Sequence, residues 1–265
     1  MQNQEIFKRP VWKAIFSMGI PSLISVLVMI IYNMADMYFI GFLNDYTQVA
    51  AVSLIMPVFS IMTAVSMLLG NGGCTLIAQA LGAGEKKRAR SYMSLCIWTA
   101  ILLGVIIAGL IIVFSNPLLK FLGTNEEMWQ YARNYMLILA VGSPAMLLNY
   151  TIACLVRGEG VIKPGLIANF VSTGMNILWD PVLILGVKMG VSGAALATVL
   201  SNVIGIVYLI WYKMHHEMIL TFNPKPARES VRHLGRVFAL GFPNAISNIL
   251  NGFASTSVSY THLRA

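Results

Sequence analysis

Residues 92–114 read Tyr92-Met-Ser-Leu-Cys-Ile-Trp-Thr-Ala-Ile-Leu-Leu-Gly-Val-Ile-Ile-Ala-Gly-Leu-Ile-Ile-Val-Phe114, with no charged side chain anywhere in the run. About 20 such residues in a helix cover the roughly 30 Å hydrocarbon core of a bilayer. Backbone polar groups cannot go unpaired in lipid, so a crossing of this length is helical. Strands of a membrane β-barrel would instead appear as alternating segments of about 10 residues.

Working outward, the same pattern predicts helices over 14–40, 49–70, 132–155, 164–187, 190–212 and 236–257. The second can run on through Cys74-Thr-Leu-Ile-Ala78 to a Gly-Ala-Gly break at 82–84. The whole chain agrees. Of its 265 residues 57% are hydrophobic and 11% charged, against about 25% charged in a soluble domain. Mean hydropathy is +0.74. The expected fold class is all-α integral membrane.

The net charge of +8 does not indicate nucleic acid, because Lys and Arg occur as short clusters between apolar runs. Cytoplasmic loops carry the excess of Lys and Arg. With the N-terminus inside, the inner segments hold fourteen cations, including Lys86, Lys87, Arg88, Arg90, Lys213 and Arg236. The outer segments hold three: Lys120, Arg133 and Lys188. The expected setting is a multi-pass protein of the cell membrane with a cytoplasmic N-terminus. Cys74, Cys96 and Cys154 lie in or beside apolar segments without paired spacing, so neither a disulfide nor zinc is indicated.

The chain divides into a six-helix unit at 1–213, a basic cytoplasmic linker at 214–235 and the start of a second unit at 236–265. Asn223-Pro224-Lys225-Pro226 is read as a stretch that cannot continue a helix. An internal repeat supports the division. Phe16, Gly19, Pro21, Ile24 and Ser25 recur as Phe238, Gly241, Pro243, Ile246 and Ser247, at a constant offset of 222 residues. Both copies follow a basic segment, as parallel repeats do. Six further helices would complete the second copy. Apolar character falls away after Ser257 instead, so the sequence predicts a truncated chain whose tail, 259–265, is foreign.

Two acidic residues fall within predicted helices, Asp36 and Asp180. No Lys or Arg lies deep in any span beside them. A carboxylate inside a bilayer is costly and marks an ion or proton path by default. Each lies about six residues from the outer end of its helix, roughly 9 Å deep at 1.5 Å per residue. Tyr32 and Asn33 accompany Asp36, and Asn176 lies one turn before Asp180, with Ser172 and Thr173 extending the stripe. Thr198 reaches a comparable depth in the sixth helix. Pro181 leaves the Ile177 carbonyl without its helical donor, and Pro21 does the same for Ser17. Oxygens of this kind suit a hard cation such as Na⁺. A proton is the other candidate, since a buried carboxyl beside another can take one up.

Gly19-Ile-Pro21, the segment Tyr32-Asn33-Met-Ala-Asp36, Asn176-Ile-Leu-Trp-Asp180-Pro181 and Gly193-Ala-Ala-Leu-Ala-Thr198 together resemble the multidrug and toxic compound extrusion (MATE) family, in particular its prokaryotic branch. The resemblance covers residues 8 to about 257. It implies twelve helices in two six-helix lobes around a central cavity. It also implies export of small cationic amphipathic drugs in exchange for Na⁺ or H⁺, with no other cofactor. A cation site would match Asp36, Asn176, Asp180 and Thr198. Pro21, Pro181, Tyr32 and Asn33 would serve substrate or gating, and a carboxy-terminal lobe would be the partner. The departure from the family is length.

A lipid-linked precursor flippase of the same superfamily is the alternative, and it would favour a strongly cationic cavity. A membrane enzyme would need a catalytic His in a span, and His215, His216, His233 and His262 all lie in linker or tail. Gly82-Ala-Gly-Glu-Lys-Lys87 lacks the Gly-Lys-Ser/Thr ending of a nucleotide loop.

Overall fold

A computed structural model describes residues 12, 23, 27, 31, 34, 38, 39, 41, 42 and 45–264, with side chains through 252 except at 229. The helices are α1 (Tyr46–Gly82), α2 (Lys86–Val113), α3 (Ser115–Phe121), α4 (Glu126–Gly158), α5 (Ile162–Pro181), α6 (Val191–His215), α7 (Lys225–Ser230) and α8 (Leu234–Arg264). A π turn, Val182–Gly186, extends α5, and a 3₁₀ turn, Val231–His233, joins α7 to α8.

The ends follow local chemistry. Asp45 caps α1 by accepting from Thr47 N at 3.0 Å. Asn125 caps α4 by accepting from Met128 N at 2.9 Å, and Glu126 and Glu127 in the first turn complement the helix dipole. α1 does run past Ala78 and stops at the expected break, where Gly84 takes a φ of 77°.

Among the described residues four helices, α1, α2, α4 and α6, are long and apolar enough to cross a membrane, with mean hydropathies of 2.1, 2.8, 1.7 and 2.0 over their most apolar stretches. The first predicted span, 14–40, falls largely outside the described residues.

No helix continues through 223–226: α6 ends at His215, and a separate short helix, α7, begins at Lys225 with proline in its opening turn, where a missing N–H costs nothing. The linker is docked against the bundle. Leu220 is buried, Ser94 Oγ donates to the Asn223 carbonyl at 2.5 Å, and Trp98 Nε1 donates to the Phe222 carbonyl at 3.0 Å. Beyond it, α8 continues to Arg264, past the point where apolar character fades.

α4 is the central post, packed against α1, α2, α5 and α6, while α8 lies along α1. Backbones meet closely at that last seam. A Cβ on Gly241 would strike the Leu68 carbonyl, and one on Gly72 would strike the Val237 carbonyl. Small residues at such crossings let helices approach where hydrophobic exclusion offers no drive.

The interior holds two apolar clusters. One gathers Leu69, Ile77, Met93, Ile97, Ile152 and Leu155 toward the basic end. The other gathers Ile55, Met62, Ile111, Leu139, Leu147 and Ile184 toward the opposite end. Buried polar residues on four helices fall between the two: Ser66 on α1, Asn149 and Thr151 on α4, Ser172 with Asn176 and Asp180 on α5, and Thr198 with Ser201 on α6. A polar layer therefore crosses the middle of the bundle.

Candidate functional site

Asp180 is fully buried, with 0% exposure, and Asn176 and Thr198 stand beside it at 1% and 6%. Asn176 and Asp180 are one turn apart on α5, so their side chains share a face. The Asn176 amide comes within 3.5 Å of Thr198 Oγ1. Amide orientation is assigned from the surrounding hydrogen bonds. The orientation that satisfies both ends has Asn176 donating to Asp180 Oδ2 at 3.1 Å and accepting from Thr198 N at 3.1 Å.

The helix changes form directly beyond this carboxylate. Pro181 closes α5, the Val182 N–H reaches the Trp179 carbonyl, and Val187 N donates to the Val182 carbonyl at 2.8 Å. A π turn after a proline leaves backbone oxygens outside the regular α pattern, and such turns recur at functional sites.

The layer continues toward the basic end as a hydrogen-bonded chain. Asn202 Nδ2 donates to the Thr198 carbonyl at 2.8 Å, and Asn149 Nδ2 donates to Asn202 Oδ1 at 3.0 Å and to Ser172 Oγ at 3.3 Å. Gly205 makes room for this junction, because a Cβ there would press on Ser172 Oγ and Asn149 Oδ1. A cavity of about 380 Å³ opens along the chain. Asn176, Thr198, Asn149 and Asn202 line it with Phe59, Met62, Met67 and Phe170. Among the described residues, Arg157 is the one charged residue on its wall.

Three of the four expected cation ligands, Asn176, Asp180 and Thr198, are thus gathered in one place. Asp36 lies outside the described residues, as do Pro21, Tyr32 and Asn33. Sequence reasoning missed Asn149, Ser201 and Asn202. Their signal was available, since each is a neutral polar side chain inside an otherwise apolar span, and Asn202 lies one turn beyond Thr198. The donor set is oxygen only. Among the described residues no group of three His, Cys, Asp or Glu is placed to hold a metal ion. Carboxylate, amide and hydroxyl oxygens fit a hard cation.

Comparison with known proteins adds to this geometry. The MatE family model matches residues 21–182. The multidrug export protein MepA of Staphylococcus aureus (strain NCTC 8325 / PS 47) is 32% identical over 256 residues, covering 96% of this chain and 57% of that protein. A solved structure described as the outward-facing conformation of a multidrug resistance MATE family transporter of the MOP superfamily superposes with a TM-score of 0.83 at 28% identity. It covers 92% of this chain and 54% of the other. A structure described as the inward-facing conformation of such a transporter gives 0.78 at 27% identity, covering 84% and 51%. The chain spans a little over half the length of these relatives.

Proposed function

Because the chain belongs to the MatE family, we propose that it forms one lobe of a two-lobed secondary antiporter that exports cationic amphipathic compounds in exchange for Na⁺ or H⁺. The observation that carries this reading is Asp180, fully buried among Asn176 and Thr198 beside a cavity lined by amides, methionines and phenylalanines. A buried carboxylate is tolerated when a positive charge can reach it. Asp36, predicted at the same depth, would supply a second one.

Coupling follows from differential affinity. A cation at Asp180 draws Asn176 and Thr198 together and favours one packing of α5 against α6. A drug in the adjoining cavity favours another. A ligand shifts such an equilibrium only by the difference in its affinity for the two states. Methionine and aromatic side chains adapt to varied apolar ligands, which suits a broad substrate range. The membrane orientation proposed is basic end inward, on the distribution of Lys and Arg.

The test is dye efflux from cells and vesicles that carry a two-lobed protein containing this sequence, with Na⁺ and pH gradients set separately. Asp180→Asn is expected to reduce coupled efflux of a cationic dye by at least tenfold while leaving membrane insertion unchanged. Undiminished efflux would remove the proposed role. The flippase alternative calls for a strongly cationic cavity. Among the described residues Arg157 alone lines the wall as a cation, which favours the antiporter reading.

A further inference from the structure

At the basic end, two cations from different helices flank one corner of the linker. Arg90 lies in the second turn of α2 and Lys213 in the last turn of α6. Arg90 lies one turn before Ser94 on α2, and of the linker residues that meet Ser94 and Trp98, Phe222 also meets Lys213. Neither cation pairs with a carboxylate among the described residues, where the one ion pair is Arg88 with Glu85 at 2.8 Å.

The linker meets Lys213 and the face of α2 that carries Arg90. Lys213 Nζ sits over the Phe222 ring at 4.9 Å. The Phe222 carbonyl accepts from Trp98 Nε1, and the next carbonyl, that of Asn223, accepts from Ser94 Oγ. Arg90, Ser94 and Trp98 follow at i, i+4 and i+8, so they share one face of α2. The same face continues away from the basic end as an apolar, exposed surface. Trp98 is 41% exposed, Leu102 60% and Val105 56%.

We propose that this corner binds the phosphate of an anionic phospholipid. The phosphate sits between the Arg90 guanidinium and the Lys213 ammonium, and the acyl chains lie along Trp98, Leu102 and Val105. The guanidinium offers a planar fork and the ammonium a mobile point charge, the two common ways of holding phosphate. A basic pocket beside membrane helices on the inner side is the setting in which such headgroups are recognised. Trp98 marks the depth, because indole rings favour the boundary between headgroup and hydrocarbon. The charges explain why a lipid fits better than neutral packing, and the apolar face explains why a lipid fits better than a free anion. The proposal is independent of antiport and requires only that α2 face lipid. A bound lipid would also hold the linker against α2 and α6, because Phe222 and Asn223 form the floor of the site.

The experiment uses the purified chain in a neutral detergent. Phosphatidylglycerol, phosphatidylcholine or inorganic phosphate is titrated in, and bound lipid per chain is read by native mass spectrometry. Phosphatidylglycerol is expected to bind at least tenfold more tightly than phosphatidylcholine. The double variant Arg90→Gln with Lys213→Gln should lose that preference, while Lys120→Gln, in the short helix α3, should keep it. Equal binding of the two lipids by the unaltered chain overturns the proposal, as does a preference that survives the double variant. Displacement of phosphatidylglycerol by inorganic phosphate at equal concentration assigns the corner to free phosphate and overturns the lipid. If the double variant does not fold, quenching by brominated acyl chains decides on the unaltered protein and a Trp98→Phe control. Greater quenching by the brominated anionic lipid, abolished in the control, supports the site, and equal quenching by both lipids refutes it.

Discussion

Asn176 stands one helical turn before Asp180 and spans the gap to α6, donating to the Asp180 carboxylate at 3.1 Å and accepting from Thr198 N at 3.1 Å. One neutral amide thus ties the buried charge on α5 to the backbone of α6. Replacing it by leucine keeps the volume but leaves a buried carboxylate with one donor fewer, a loss of about 1–3 kcal/mol. Asn176→Leu is expected to lower the melting temperature of the purified chain. In a two-lobed protein it should weaken cation-coupled dye efflux by tenfold or more. Retention of both properties would show that the amide bridge is incidental.

Pro181 is the second point of leverage. Pro181→Ala restores an N–H that can reach the Ile177 carbonyl, and an interior proline costs a helix about 3 kcal/mol. The variant should be more stable by up to that amount, with slower hydrogen exchange across 182–187 as the π turn tightens into α-helix. Efflux should fall, because the irregular backbone oxygens beside Asp180 are lost. Faster exchange in that segment, or unchanged efflux, would contradict this.

The α1–α8 seam depends on absent side chains. Gly241→Val places a branched Cβ against the Leu68 carbonyl, and neither backbone can yield without separating the helices. Overpacking of this kind typically costs about 1–3 kcal/mol. The expected result is a lower melting temperature and easier proteolysis of α8. Gly235→Val, where a Cβ meets nothing within 4 Å, serves as the matched control and should change neither.

Glu159 links the turn after α4 to the linker, accepting from Ile219 N at 2.5 Å. Burial pushes its carboxyl above the ordinary range, and the Ile219 N–H only partly opposes this. The docked state therefore holds a proton that the undocked state releases at lower pH. Docking is strongest below the ordinary Glu value, near 4.5, and weakens as pH rises through the raised value. Limited proteolysis of the linker should accelerate with rising pH beyond the protease's own profile. Glu159→Gln should remove that dependence and leave the linker protected throughout. A linker whose cleavage follows only the protease's profile in both proteins would exclude the effect.

Several of these features were legible in the residues alone. The charge-free run 92–114 could only be a membrane helix, because length and backbone satisfaction leave no other solution. Asp180 stood out because a carboxylate is rare in such surroundings, and Asn176 because helical spacing puts it on the same face. Even the continuation of α1 to Gly82 was foreshadowed by the Gly-Ala-Gly that follows Ala78.

Other features were not. Periodicity places Asn149, Asn202 and Thr198 on their own helices but says nothing about which helices touch, so the junction at Gly205 could not be read from spacing. The linker seemed a polar connection because prolines and charges dominate it. Its docking depends on Leu220 and on two of its backbone carbonyls, which carry no sequence signature. What the sequence by itself determined is the long apolar helices among the described residues and the helical face that carries their polar residues, since both follow from one-dimensional periods and the thickness of lipid. What only the tertiary structure decided is the company those residues keep, because packing between helices turns on small residues and backbone atoms whose partners are distant in the chain.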